Sequence, residues 1–181
     1  MKLPPTAPVR LRMTRPAPRI GAPEWLIAIG GGVFILALAL SAVFVPDIRW
    51  LHLFQASMYV AAIVLSFRHS RWGHFIGISG AGLWNYAGLF ASTLFADLVE
   101  HPDRPDVVVQ VIAWLANLLV VIGCAWAYAR LPSRPRGDLV RFAATFVLTT
   151  AFLAAAIAIF SPRYLDIFPR MLHPHWPLLR R

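Results

Sequence analysis

Residues 24–45, EWLIAIGGGVFILALALSAVFV, form a run of 22 residues with a single charged side chain, at its first position. The hydrocarbon core of a bilayer is about 30 Å thick, and a helix needs about 20 apolar residues to cross it. The run is long enough to cross, and it is too long for the apolar region of a cleaved signal peptide. It therefore predicts a transmembrane helix that is retained as an anchor.

Further apolar stretches follow the first one, separated by segments that contain proline and charged residues. The chain of 181 residues is 59% hydrophobic and only 14% charged, which is more apolar surface than a soluble domain can bury. The sequence thus predicts an all-α integral membrane protein with about five transmembrane helices. The predicted spans, which together make up a transmembrane domain at 24–160, are residues 24–45, 50–67, 72–96, 107–129 and 139–160.

Lysine and arginine are unevenly distributed between the two ends of these spans. Eleven lie on the side of the N-terminus and two in the opposite loops, and cytoplasmic segments carry the positive excess in such proteins. We expect a bacterial inner (plasma) membrane protein with its N-terminus in the cytoplasm and, after five spans, its C-terminus outside. The eleven are Lys2, Arg10, Arg12, Arg15, Arg19, Arg68, Arg71, Arg130, Arg134, Arg136 and Arg141.

Two tails flank the predicted membrane domain. Residues 1–23 read as a flexible, basic cytoplasmic tail, and residues 161–181 as a C-terminal extramembrane tail. The net charge of +9 comes from basic residues at membrane edges, where they serve topology and contact anionic headgroups. The expected partners are therefore the lipid bilayer and other membrane protein subunits, and no nucleic acid.

Uncharged polar side chains recur at steps of three and four residues on four of the five spans, so that each set shares one helix face. The first span is instead apolar on every side. Polar groups avoid hydrocarbon and face other helices or a cavity. We therefore predict that spans two to five form an antiparallel bundle with their polar faces inward, and that the first span is peripheral.

The polar faces allow two interpretations. They hold helices together through hydrogen bonds, such as one between Asn85 and Asn117, or they line a ligand pocket or path. Most tryptophans fall near predicted membrane interfaces, whereas Trp84 falls at mid-depth beside Asn85. The candidate pocket residues are Gln55, Tyr59, Trp84, Asn85 and Asn117.

Histidines suggest one possible cofactor. Membrane b-type cytochromes hold haem between imidazoles on different helices, and His69 and His74 lie near the same predicted face while His52 lies near the other. The short turn between His69 and His74 favours interfacial residues over ligands. The sequence therefore predicts no cofactor, no metal site and no catalytic residue, with haem as an alternative.

Three functions stay open at this point. The first is a non-catalytic accessory or assembly subunit of a larger membrane complex, favoured by the apolar first span and the two tails. The second is a small carrier or ligand-binding membrane protein with a polar pocket at mid-depth. The third is a haem-binding electron-transfer subunit. Charged residues fall only at span ends or outside the spans, which disfavours proton pumps and ion-coupled carriers.

Overall fold

A computed structural model of the chain describes residues 19–90, 92, 94–133 and 135–172. Within these residues the chain is helical and contains no strand. The basic tail up to residue 18, Arg134 and the segment from residue 173 lie outside the described residues. They include most of the predicted N-terminal tail and the last nine residues of the predicted C-terminal tail.

Seven α-helices and two short 3-10 turns make up the described chain. The 3-10 turns are Pro46–Ile48 and Pro162–Tyr164. The α-helices are α1 (Ala22–Phe44), α2 (Arg49–Phe67), α3 (Arg71–Phe90), α4 (Leu94–Glu100), α5 (Pro105–Ala129), α6 (Asp138–Phe160) and α7 (Ile167–Leu172).

Four helices are long and apolar enough to cross a membrane: α1, α2 with the 3-10 turn before it, α5 and α6. Each of these four α-helices begins and ends within two residues of the span that the sequence predicted for it. The remaining predicted span, α3, is a helix of 20 residues whose composition is more polar. Arg71, His74 and Asn85 contribute to this difference.

The prediction that the third span continues to residue 96 is wrong. α3 ends at Phe90, and a separate helix begins at Leu94. The hydroxyl of Ser92 donates to the Gly88 carbonyl at 2.6 Å and accepts from the Leu94 amide at 3.2 Å. A serine hydroxyl that bonds nearby backbone in this way competes with the helical ladder, which explains the break.

The turn between α2 and α3 follows a known helix-ending pattern. The His69 amide donates to the Ser66 carbonyl at 2.8 Å, and the Ser70 amide donates to the Leu65 carbonyl at 2.9 Å. This pair of bonds is the Schellman motif, in which the residue after the helix adopts a left-handed conformation. His69 does so, with φ of 52°, and the chain reverses into α3.

The first helix is not peripheral, and that prediction is wrong. α1 packs most extensively of all against α5 and also contacts α2. Its side chains Ile27 and Phe34 are buried in the main core with Tyr59, Val120 and Cys124. Glycine allows the close approach, since a Cβ on Gly30 would lie 2.7 Å from the Ala116 carbonyl oxygen. Among the four helices that are apolar enough to cross a membrane, α6 instead has the smallest buried share.

The first two helices, α1 and α2, run in opposite directions. Ring contacts join Trp25 to Phe67 and Phe34 to Tyr59 between α1 and α2. α3 lies among α2, α5, α6 and the short α7, which explains why its polar face is tolerated. Its central position brings its polar residues beside those of α2 and α5.

Candidate functional site: a polar cavity among the helices

A cavity of about 330 Å³ lies among α1, α2, α3, α5 and α6. We call it the polar cavity. It extends from Phe34 and Asn117, near the middle of their helices, to Ser41, Ser92 and Gln110 at one end of the molecule. Residues from the 3-10 turn before α7 and from α7 itself, Tyr164 and Ile167, also line it. Its volume falls within the range of small-molecule sites, and its position between helices is typical of them.

The structure brings four of the five predicted pocket residues to this cavity. Gln55, Trp84, Asn85 and Asn117 line it, and they come from three different helices. Tyr59 lies behind the wall, where its hydroxyl donates to the Asn117 side-chain oxygen at 2.6 Å. Both partners are buried, so Tyr59 fixes the orientation of the Asn117 amide.

Asn85 and Asn117 do not form the hydrogen bond with each other that one interpretation of the sequence predicted. The oxygen of Asn117 accepts from Tyr59, and the amide of Asn85 turns to the backbone of α5. In the orientation that satisfies both of its atoms, it donates to the Trp114 carbonyl at 3.2 Å and accepts from the Leu118 amide at 3.3 Å. Asn85 therefore ties α3 to α5 while its side chain also lines the cavity.

Gln55 differs from the two asparagines because part of its amide has no protein partner. The side chain is 1% exposed, and its Nε2 has no hydrogen-bond acceptor among the described residues. The indole Nε1 of Trp84 is likewise buried without an acceptor in this part of the chain. A buried donor that stays unsatisfied costs about 1–3 kcal/mol. Both residues belong to the cavity lining, so their two unpaired nitrogens lie close to the space that a bound molecule would occupy.

Apolar side chains and an absence of charge complete the lining. Phe34, Leu38, Leu51 and Ile157 form much of the wall. The described lining residues include no lysine, arginine, aspartate or glutamate. A charged ligand group would therefore be buried without a countercharge, which is strongly unfavourable. This environment suits a neutral molecule with hydrogen-bond acceptors.

Sequence reasoning missed two notable lining residues, His52 and Trp114. His52 reaches across to α1, where its Nδ1 donates to the Leu38 carbonyl at 2.8 Å. Its position on the polar face of α2 was visible in the sequence. Trp114 lies one helical turn before Asn117, so the same helical spacing could have identified it.

Two further histidines, His69 and His74, contact protein groups at the opposite end of the bundle. His74 Nδ1 lies 3.2 Å from the Ser66 hydroxyl, and His69 Nδ1 lies 3.6 Å from a Glu24 oxygen. In the described part of the chain, no group of three or more His, Cys, Asp or Glu side chains is arranged so that it could hold a metal ion. His173 and His175 lie outside the described residues. Haem ligation stays a prediction.

Comparison with known proteins does not assign this cavity. No family model, curated protein or solved structure matches the chain.

Proposed function

We propose that this chain is a small multi-span membrane protein that binds a neutral molecule in the polar cavity, as a carrier or a ligand-binding protein. The observation that carries the proposal is the amide of Gln55, which is 1% exposed and has an unpaired nitrogen beside a cavity of about 330 Å³. A ligand that accepts a hydrogen bond there removes a desolvation cost. Asn117, held by Tyr59, offers a second polar contact whose geometry is already fixed.

We also propose that α3 crosses the bilayer, so that the chain has five crossings. The helix directions support this number. α2 ends beside Glu24 at one end of the molecule, whereas α5 begins near Gln110 at the cavity end, so α3 must carry the chain across between them. The distribution of Lys and Arg supports a cytoplasmic N-terminus in a bacterial inner membrane. The polar cavity would then approach the outer face, at the end marked by Ser41 and Gln110.

The test fills the cavity without changing its polar groups. Ala113 lines the cavity on α5 and is partly buried, so Ala113→Phe places a ring where the ligand would lie. The matched control is Ala125→Phe, the same change at an exposed position of α5. Each variant is purified from its own membrane in mild detergent, and bound small molecules are measured by native mass spectrometry.

We expect wild type and Ala125→Phe to retain the same non-protein mass at a fixed stoichiometry, and Ala113→Phe to lose it. An equal adduct in all three would place the molecule elsewhere on the protein. Absence of any adduct from wild type, together with unchanged thermal stability of wild type in all ligand screens, would contradict ligand binding.

A second candidate function is an accessory subunit of a larger membrane complex. The observation that favours it is the apolar outer face of α6, where Val147, Leu148 and Ile159 are each more than 60% exposed. A partner subunit would cover this face in place of lipid. The same mass spectra test this function, since a second protein at a fixed stoichiometry supports it and a lone chain opposes it.

A further inference from the structure

A second cavity, of about 210 Å³, adjoins the polar one. We call it the apolar cavity. It lies among α3, α6 and α7, and Trp84, Ala87, Ile157 and Ile167 line both cavities. The rest of its wall is almost wholly hydrocarbon, for example Leu153 and Phe168. The two cavities therefore meet along a shared wall on α3, α6 and α7.

The apolar cavity offers a ligand almost no polar contact. Its one hydroxyl among the described lining residues, that of Thr150, donates to the Phe146 carbonyl at 2.8 Å. At its margin Leu172 is 78% exposed, so the cavity reaches the molecular surface beside α7. A hydrocarbon chain fits such a site, because it fills the apolar space without burying a polar group that would lack a partner.

The polar cavity has complementary chemistry. Its lining includes Gln55 and Trp84, each of which has a buried donor without an acceptor. Its described lining contains no lysine, arginine, aspartate or glutamate. Carbonyl oxygens are acceptors only, and so they match two donors without introducing an unpaired donor of their own. The two cavities together resemble the two parts of a lipid, an uncharged polar head and an apolar tail.

We propose that the ligand is a neutral lipid whose carbonyl-bearing head occupies the polar cavity and whose hydrocarbon tail occupies the apolar cavity. This inference rests on the proposed function of the polar cavity and names the class of molecule bound there. α7 closes over both parts, tied to α3 by a hydrogen bond from the Tyr86 hydroxyl to the Met171 carbonyl at 2.8 Å. A prenylated quinone and a diacylglycerol both have the required chemistry.

The experiment compares four probes on the purified full-length chain in detergent. They are decylubiquinone, the same quinone head without its tail, dioctanoylglycerol, and dioctanoyl phosphatidylglycerol as a charged lipid of equal tail length. Affinity is measured by titration with native mass spectrometry. We expect one of the two neutral tailed lipids to bind at least about tenfold more tightly than the tailless head and the charged lipid, and the better one identifies the head.

Two variants separate head from tail. Gln55→Leu removes the unpaired donor and should lower the affinity for the lipid about tenfold, which is the contribution of one hydrogen bond to a ligand. Removing a buried donor that has no partner should not destabilise the free protein, so this variant should fold. Thr150→Phe fills part of the apolar cavity. It should therefore lower the affinity for the tailed lipid and leave the low affinity for the tailless head unchanged. Ala151→Phe, at the next and exposed position, is its control.

The outcomes distinguish this inference from the function on which it rests. Three results would overturn it. The tailless head or the charged lipid could bind as tightly as the neutral tailed lipids, or Gln55→Leu could leave the affinity unchanged. If Ala113→Phe still displaces a native molecule that proves charged or tailless, ligand binding stands and the lipid assignment falls. If wild type carries no molecule and binds no probe, both fall.

Discussion

At the scale of single residues, the bond between Tyr59 and Asn117 is the clearest link between packing and the candidate site. Both side chains are about 2% exposed, and their oxygens lie 2.6 Å apart. Tyr59 also packs on Phe34, with ring centroids 4.3 Å apart. The bond therefore joins α2 to α5 and orients an amide that lines the polar cavity.

Removing the Tyr59 hydroxyl tests this role. We expect Tyr59→Phe to lower the free energy of unfolding by about 1 kcal/mol, the usual value for a hydrogen bond between membrane helices. The double variant Tyr59→Phe, Asn117→Leu should lose less than the sum of the two single changes, because neither partner is left unsatisfied. Unfolding in mixed micelles measures the four proteins of this cycle. Additive losses would show that the two side chains do not interact.

Four of the residues that line the polar cavity could be inferred from sequence. Gln55, Asn85 and Asn117 stand out because polar amides in apolar spans face inward, and Trp84 stands out by its depth. The assignment of Tyr59 to the pocket wall was less accurate, since helical spacing does not tell which residue of a face is covered by its neighbour. That detail depends on the Phe34 ring, which belongs to another helix.

At the scale of helices, glycine decides how closely α1 and α5 approach. A Cβ on Gly30 would lie 2.7 Å from the Ala116 carbonyl oxygen, and one on Gly123 would lie 2.9 Å from Ile27 Cγ1. The sequence displayed Gly30, Gly31 and Gly32 as an unusual feature, but it did not indicate which partner they face. For that reason the peripheral position predicted for the first helix was wrong.

Two neighbouring glycines give a matched test of this contact. Gly30→Ala should lower the free energy of unfolding by about 1–3 kcal/mol, because the new methyl group meets backbone that cannot move aside. Gly32→Ala should leave it unchanged or raise it slightly, since no atom lies within 4 Å of its Cβ position and alanine favours helix. Unfolding of both variants in the same detergent provides the comparison. Equal stability would contradict the close packing of α1 on α5.

An ionic cluster joins three helices at the end of the bundle opposite the cavity mouth. Asp138 is 4% exposed, and its oxygens lie 3.2 Å from Arg71 Nε and 3.0 Å from Arg141 Nη1. The Tyr128 hydroxyl donates to it at 3.1 Å. α6 otherwise packs loosely, so this cluster is a main attachment of its first turn.

Loss of the carboxylate should therefore release the start of α6. We expect Asp138→Ala to lower the free energy of unfolding by about 2 kcal/mol, below the value for fully buried pairs because both arginines are partly exposed. The exposed pair of Arg104 and Asp106 provides the control, and Asp106→Ala should have little effect. Proteolysis near Gly137 offers a second measurement, with faster cleavage expected only in Asp138→Ala. Equal effects of the two changes would argue against the cluster.

At the scale of the whole molecule, the number of crossings decides where the cavity opens. The helices that are apolar enough to span the membrane could be predicted from length and hydropathy. α3 could not be judged in the same way, because its polar residues are covered by α2, α5 and α6 rather than by water. The folded helix α7 was also missed, since residues 161–181 read as an extramembrane tail.

A reporter fused after Arg181 tests the five-crossing proposal. With an odd number of crossings and a cytoplasmic N-terminus, alkaline phosphatase at this position should be active, because it folds only outside the cytoplasm. Green fluorescent protein at the same position should then be dark. Bright fluorescence with inactive phosphatase would show that α3 does not cross or that the orientation is reversed.

The presence of a bound molecule in the polar cavity is tested most directly by an experimental density map of the wild-type protein extracted from its own membrane. We expect non-protein density within hydrogen-bonding distance of Gln55 Nε2, continuing past Trp84 toward α7. A cavity that holds only water, or one that has collapsed so that Gln55 bonds to protein, would contradict the account.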